Sequence, residues 1–228
     1  LLPTGAFTVK TESVDLAELY DMSNAGAVSF ADYKKPVSNP NLLKIALQYA
    51  QNFDGLVQSF PLEKKIAGKG IVNEHHNSTL LGLKGIPNLA EDLQIARDLY
   101  LLEYTDGKLH IPTISTEKSV ALIKEAKKKG LDVTCSVAIH NLILTDDLLS
   151  EFDTRAKVLP PLRTKKDTKA LIKGLKEGTI DFVTSDHDPI DIENKKVEFD
   201  NASYGSIGLE SAFGALRTIF STEESIEF

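Results

Sequence analysis

The residues best suited to chemistry form one run. Ser185-Asp186-His187-Asp188-Pro189 follows directly on the apolar stretch Ile180-Asp181-Phe182-Val183-Thr184. Aspartate and histidine at the end of a strand suit a metal site or an acid–base pair. The structural alternative is that the aspartate caps the next loop and the histidine is a hydrogen-bonded rim residue. Other apolar runs also end in polar residues: Ala31-Asp32-Tyr33, Gln58-Ser59, Pro112-Thr113 and His140-Asn141. His75-His76 lies in a polar stretch. Neighbouring side chains diverge, so this pair is a poor chelate and reads as exposed loop. His110 stands at an odd offset from Thr113. Strand alternation sends the two to opposite faces, with His110 toward covering helices. Cys135, mid-strand among apolar neighbours, reads as inert core. No G-x-S-x-G, P-loop or H-E-x-x-H occurs.

These residues must be placed by alternating strands and helices. Strands are predicted at 26–30, 56–58, 108–114, 131–137 and 180–184, where apolar runs are short and bounded. Helices are predicted at 41–53, 91–103, 116–129, 166–177 and 208–220, where apolar residues recur at three and four. Thr116 is a plausible cap, and Gly130 after Lys127-Lys128-Lys129 a plausible stop. The stretch from 59 to about Pro87 reads as a long loop. Strand–helix alternation implies a parallel sheet with right-handed crossovers. A doubly wound sheet would usually carry G-x-G-x-x-G after an early strand, and none is present. The expectation is α/β, with a (β/α)8 TIM-type barrel favoured and function at the C-terminal strand ends.

Composition narrows the function classes. The chain has 228 residues and a net charge of −7, which opposes a nucleic-acid footprint. Its one cysteine excludes an intramolecular disulfide framework and a zinc site built on several thiolates. A reducing, cytoplasmic setting is expected. No apolar window is long enough to span a membrane. The chain opens Leu1-Leu2-Pro3, without an initiator Met or a basic leader. It reads as a fragment that lacks its N-terminus rather than as a secreted precursor.

Motifs along the whole chain are recognisable: Leu2-Pro3-Thr4-Gly5-Ala6, Gly26-Ala27-Val28-Ser29-Phe30, Asn73-Glu74, Ile95-Ala96-Arg97-Asp98, Leu109-His110-Ile111, Ile114-Ser115-Thr116, Pro160-Pro161-Leu162-Arg163, Ser185-Asp186-His187 and Ile207-Gly208-Leu209-Glu210. In this order and spacing the chain resembles the dihydroorotases of the amidohydrolase superfamily. The resemblance is to the type that complexes with aspartate carbamoyltransferase. It implies residues 1–228 as a partial metal-dependent (β/α)8 barrel, with N-terminal strands and a flanking β-domain outside this stretch. It also implies interconversion of N-carbamoyl-aspartate and dihydroorotate, with zinc activating a water.

Carried over residue by residue, the resemblance places the proton-handling aspartate at Asp186. It places family metal ligands at Tyr33, Ser59 and Thr113, where an aspartate and two histidines stand in related enzymes. Family substrate contacts, an asparagine and a histidine, fall at Leu159 and Ile190. The family's His-His becomes His140-Asn141, and its His-x-His would lie before Leu1. Neutral Tyr, Ser and Thr side chains are poor zinc ligands. The expectation is therefore a noncatalytic dihydroorotase-like protein with no cofactor. It would act as a scaffold that pairs with aspartate carbamoyltransferase or with itself. The alternative is an active dihydroorotase whose atypical zinc site uses Asp32 and Asp186. A further rival is a metal-free hydrolase using Asp186 with His187 or His140.

Overall fold

The computed structural model describes all 228 residues. Its strands are β1 (Thr4–Ala6), β2 (Ser29–Ala31), β3 (Leu56–Gln58), β4 (Val72–Asn73), β5 (Gly85–Ile86), β6 (Leu109–Ile111), β7 (Val133–Ala138) and β8 (Phe182–Thr184). Six of them form one parallel sheet in the order β1-β2-β3-β6-β7-β8. That order never reverses along the chain. A doubly wound sheet reverses at its switch point, whereas barrel winding does not. The fold is thus the TIM-type barrel expected from the strand–helix alternation, seen here as an arc of six strands.

The helices are α1 (Leu19–Asn24), α2 (Pro40–Ala50), α3 (Lys64–Ala67), α4 (His76–Leu80), α5 (Asn88–Thr105), α6 (Glu117–Lys128), α7 (Ile139–Ile143), α8 (Lys165–Lys176), α9 (Ala212–Leu216) and α10 (Thr222–Glu227). Local chemistry sets where the longer ones begin. Asn39 caps α2 by accepting from Asn41 N at 3.0 Å, and Pro40 stands at the first helical position. Thr116 caps α6 through Ser119 N at 3.0 Å. Thr164 and Asp167 form a reciprocal capping box at α8. Leu42, Leu43, Ala46, Leu47 and Ala50 then lay one face of α2 on the sheet. They join one core with Val57, Leu109, Ile111, Cys135 and Val137 of the sheet strands. Truncating Leu43 or Leu47, both fully buried, removes about 2–5 kcal/mol.

Two stretches depart from the sequence expectation. The predicted loop from 59 to 87 contains α3, α4 and a separate parallel pair, β4–β5, registered Val72↔Gly85 and Asn73↔Ile86. Two-residue strands carry too little alternation to show in sequence. The predicted helix at 208–220 shrinks to α9, flanked by turns. Gly208 and Gly214 weaken helix there, and a Cβ at Gly208 would lie 1.9 Å from the Ser185 carbonyl oxygen.

Candidate active site

On the concave side of the arc, at the C-terminal strand ends, lies a cavity of about 330 Å³. Gln58, His110, Thr134, Ser136, Phe182 and Thr184 supply its strand walls. Register aligns them: Gln58 pairs with His110, His110 with Thr134, and Ser136 with Phe182. Asp32, Tyr33, Lys34, Thr113 and Asp186 rise from the loops after β2, β6 and β8.

His110 therefore faces the cavity, not the covering helices as alternation from Thr113 predicts. The reason is local. β6 ends at Ile111, and Thr113 has φ +49°, in the left-handed region. Period-2 alternation does not survive that turn, so both side chains reach the same cavity. His110 Nδ1 lies 2.8 Å from Thr134 Oγ1, and its Nε2 lies 3.2 Å from Ser136 Oγ. Its ring stacks on Phe182 with centroids 5.3 Å apart. Burial pulls its pKa down to about 4, so the imidazole is neutral at physiological pH.

The loops hold an unusual ion cluster. Lys34 Nζ lies 2.9 Å from Asp186 Oδ2 and 3.6 Å from Asp188 Oδ2. The Lys34 and Asp186 side chains are only 12% and 4% exposed. Tyr33 OH donates to the other oxygen, Asp186 Oδ1, over a long 3.5 Å. Partial burial, with Asp186 and Asp188 nearby, lifts the Tyr33 phenol well above its ordinary range, so it stays protonated. His140 Nε2 is 3.8 Å from Asp186 Oδ2 and has no hydrogen-bond partner. Burial drops His140 to about 4, an effect that Asp186 opposes and Lys34 reinforces. The His140–Asp186 approach is thus between a neutral ring and a carboxylate. Thr113 Oγ1 is also buried without a partner.

Lys34, Thr113 and Asp186 all have positive φ: +51°, +49° and +45°. Non-glycine residues seldom adopt this region, and such strain gathers at functional sites. Here it gathers on three loops that meet at one cluster.

The other sequence-selected residues are engaged in contacts of their own, and of them only Asp32 lines the cavity. Ser59 donates from Oγ to Asp98 Oδ2 at 2.6 Å, turned toward α5. Asp32 accepts from Phe7 N and Thr8 N at 3.1 and 3.0 Å, and from the Thr8 hydroxyl. Leu159 packs on the small apolar cluster of Ala67, Ile86 and Ala90. Ile190 lies against Gly205. His187 is exposed, its Nδ1 accepting from Leu209 N at 3.3 Å. His75 and His76 are exposed as expected, and Cys135 is buried. Asp188 belongs to the run singled out at 185–189, whereas Lys34 was not singled out from sequence. The available signal for Lys34 was charge just beyond a strand end.

The donor set was tested against zinc. Zinc wants imidazole, thiolate or carboxylate donors around one point. Tyr33 is a protonated phenol, Thr113 offers a hydroxyl and Ser59 points away. Asp186 already holds an ammonium. No group of three or more His, Cys, Asp or Glu side chains is arranged to hold a metal. These residues do not fit the ion.

A parallel α/β barrel with its polar cluster at the C-terminal strand ends defines the class of protein. The Dihydro-orotase-like family profile matches residues 1–119. The chain belongs to this family. It is 45% identical over 210 residues to a dihydroorotase of Acetivibrio thermocellus, covering 92% of this chain and 49% of that protein. It is 45% identical over 213 residues to a dihydroorotase of Ruminiclostridium cellulolyticum, covering 93% and 50%. The chain thus spans about half the length of these relatives. Solved structures share the fold. An L-hydantoinase (dihydropyrimidinase) from Arthrobacter aurescens superposes with a TM-score of 0.79 at 22% identity, covering 98% of this chain and 53% of that one. A dihydropyrimidinase from Brevibacillus agri gives 0.75 at 22%, covering 92% and 50%. No helix is long and apolar enough to cross a membrane.

Proposed function

We propose that this dihydroorotase-like chain is noncatalytic and serves pyrimidine biosynthesis as a scaffold or partner subunit in the cytoplasm. One observation carries the reading. Asp186, which the resemblance makes the proton-handling residue, is tied by both carboxylate oxygens, to Lys34 at 2.9 Å and to Tyr33 at 3.5 Å. Both oxygens are thus engaged within the protein, by an ammonium and a phenol, rather than left open to a substrate. Asp186 also has no zinc-bound water to work on, because Tyr33, Ser59 and Thr113 are not metal donors. Leu159 and Ile190, at the family's substrate positions, lie outside the cavity and offer no hydrogen bonds. Residues 1–228 are read as one partial barrel domain. The proposed partners are aspartate carbamoyltransferase or a second copy of the chain.

The test is elemental analysis and a dihydroorotase assay on the full-length protein, purified without chelator after zinc supplementation. Absence of stoichiometric zinc and of turnover is the expected result. One or two zinc ions per chain with turnover overturns the reading. Co-purification with the transferase tests the partner. The competing reading is an active dihydroorotase with an atypical metal site, favoured by the names of the relatives at 45% identity. The same zinc measurement decides between them.

A further inference from the structure

We infer that the outer face of α5 is a docking surface for a second copy of this chain, which lies on it antiparallel about a twofold axis through Ala96. The inference rests on the scaffold reading above and selects, of its two partners, the second copy. It starts from the patterning of the helices. A helix that covers a sheet lays one apolar face on the core and turns a charged face to solvent. α8 does this, exposing Lys166, Lys169 and Lys173. α5 is apolar on both sides. Ile95, Leu99 and Leu102 are buried in the core. Leu89, Leu93, Ala96, Tyr100 and Tyr104, spaced by three and four, form a second stripe that is exposed throughout. Tyr100 and Tyr104 are 74% and 70% exposed. Beside the stripe, a groove of about 140 Å³ runs between α5 and α6, lined by Ala96, Tyr100, Leu122 and Ala126 among others.

Self-complementarity favours a second copy over an unlike partner. A twofold interface must carry knob and hole on one surface, and this face has projecting tyrosines next to a groove. Ala96 stands mid-stripe, where a small side chain lets two helices cross closely. Antiparallel pairing about Ala96 sets Leu93 against the partner's Tyr100 and Leu89 against the partner's Tyr104. Charge fits the same register. The Lys129–Glu103 ion pair, at 3.5 Å, ties α6 to α5. It puts Leu122, seven residues before Lys129, level with Ala96, seven before Glu103. Lys118 and Glu125 stand exposed on either side of Leu122. The axis therefore brings Lys118 beside the partner's Glu125, twice over. Area agrees as well. The exposed leucines and tyrosines of the stripe present on the order of 400 Å². Two such faces, with the α6 side chains around them, approach the roughly 1,200 Å² at which specific interfaces begin.

Sedimentation of the full-length protein should show a dimer at about 50 µM. Leu93→Lys/Tyr100→Lys should raise its dissociation constant about tenfold or more, with melting unchanged within about 2 °C because both positions are exposed. Lys118→Glu and Glu125→Lys should each weaken the dimer about three- to tenfold, and the two together should restore it. Ala96→Cys should form an intermolecular disulfide under mild oxidation, since the axis brings the two thiols together and Cys135 is buried. Lys173→Cys, on α8, should stay uncross-linked under the same conditions.

A wild type that remains monomeric at about 100 µM overturns the inference. So does a dimer that ignores Leu93→Lys/Tyr100→Lys, or charge swaps whose effects add instead of cancelling. If aspartate carbamoyltransferase binds a monomer and these same variants release it, the face belongs to the transferase and the inference falls. All of these results leave the noncatalytic reading standing. Native zinc with turnover would overturn that reading without touching the α5 face, so the two failures are distinguishable.

Discussion

Arg163 Nη1 donates to Asn73 Oδ1 at 2.9 Å, joining residues 90 positions apart in the chain. The same guanidinium donates to Ile86 O at 2.7 Å and to Ser115 Oγ at 3.0 Å, and stands 3.7 Å from Glu91. Glu91 in turn accepts from Ser115 N, Thr116 N and Ser119 Oγ at 2.7, 3.1 and 2.7 Å. Asn73, Ser115, Thr116 and Arg163 all belong to the motifs that carry the family resemblance. None of them lines the cavity. They tie β4, β5 and the entry to α6 into one frame. These four motif residues thus build the framework around the cavity rather than its lining.

Breaking that frame should be costly. Arg163 and Glu91 are both fully buried, and burial lowers the arginine's pKa and raises the glutamate's. Arg163→Met strands a buried carboxylate and should cost about 3–5 kcal/mol in urea unfolding. Arg163→Met/Glu91→Gln should recover part of it. Equal losses in the two proteins would show that Arg163 acts by packing alone.

Acid should weaken the fold through His110. Its pKa is about 4 folded, against an ordinary 6.5. Between those values the unfolded chain holds a proton that the folded chain lacks. The stabilisation is therefore complete above about pH 6.5 and is lost as pH falls through 4, a total of about 3 kcal/mol. His110→Gln keeps polar contacts to Thr134 or Ser136 without titrating. Its stability-against-pH curve should be flatter than wild type over that window. Parallel curves would rule His110 out as the source.

Restoring a histidine at Ser59 should not restore a metal. The Ser59 side chain is fully buried and bonded to Asp98 on the α5 side. Ser59→His must push atoms into packed surroundings and strand part of the Asp98 carboxylate, a loss of about 1–3 kcal/mol. Zinc titration of the variant should match wild type, and a gain of zinc would mean that the strand end reorients.

Cys135 should be unreactive. Burial in the main core pushes its thiol up to about 12, and Sγ donates to Thr179 O at 3.5 Å. A thiol reagent such as DTNB should label the chain slowly in buffer and at once in urea. Fast labelling under native conditions would contradict the burial of Cys135 within β7.

Read alone, the chain determined its architecture. Short apolar runs alternating with 3.6-period stretches required a parallel α/β sheet. The cap at Thr116 and the apolar spacing of α2 are local signals that survive without knowledge of the fold. The donor chemistry of Tyr33, Ser59 and Thr113 was also legible, because it belongs to residue type. Tertiary structure alone decided what these residues meet. A left-handed turn at Thr113 brought that residue onto the same cavity as His110, against simple alternation. Two-residue strands too short to register as a pattern built β4–β5. The pairing of Lys34 with Asp186 joins residues 152 positions apart, and no local periodicity encodes such a contact. It arises because barrel winding brings the ends of β2 and β8 to one cavity, where opposite charges withdrawn from water must pair.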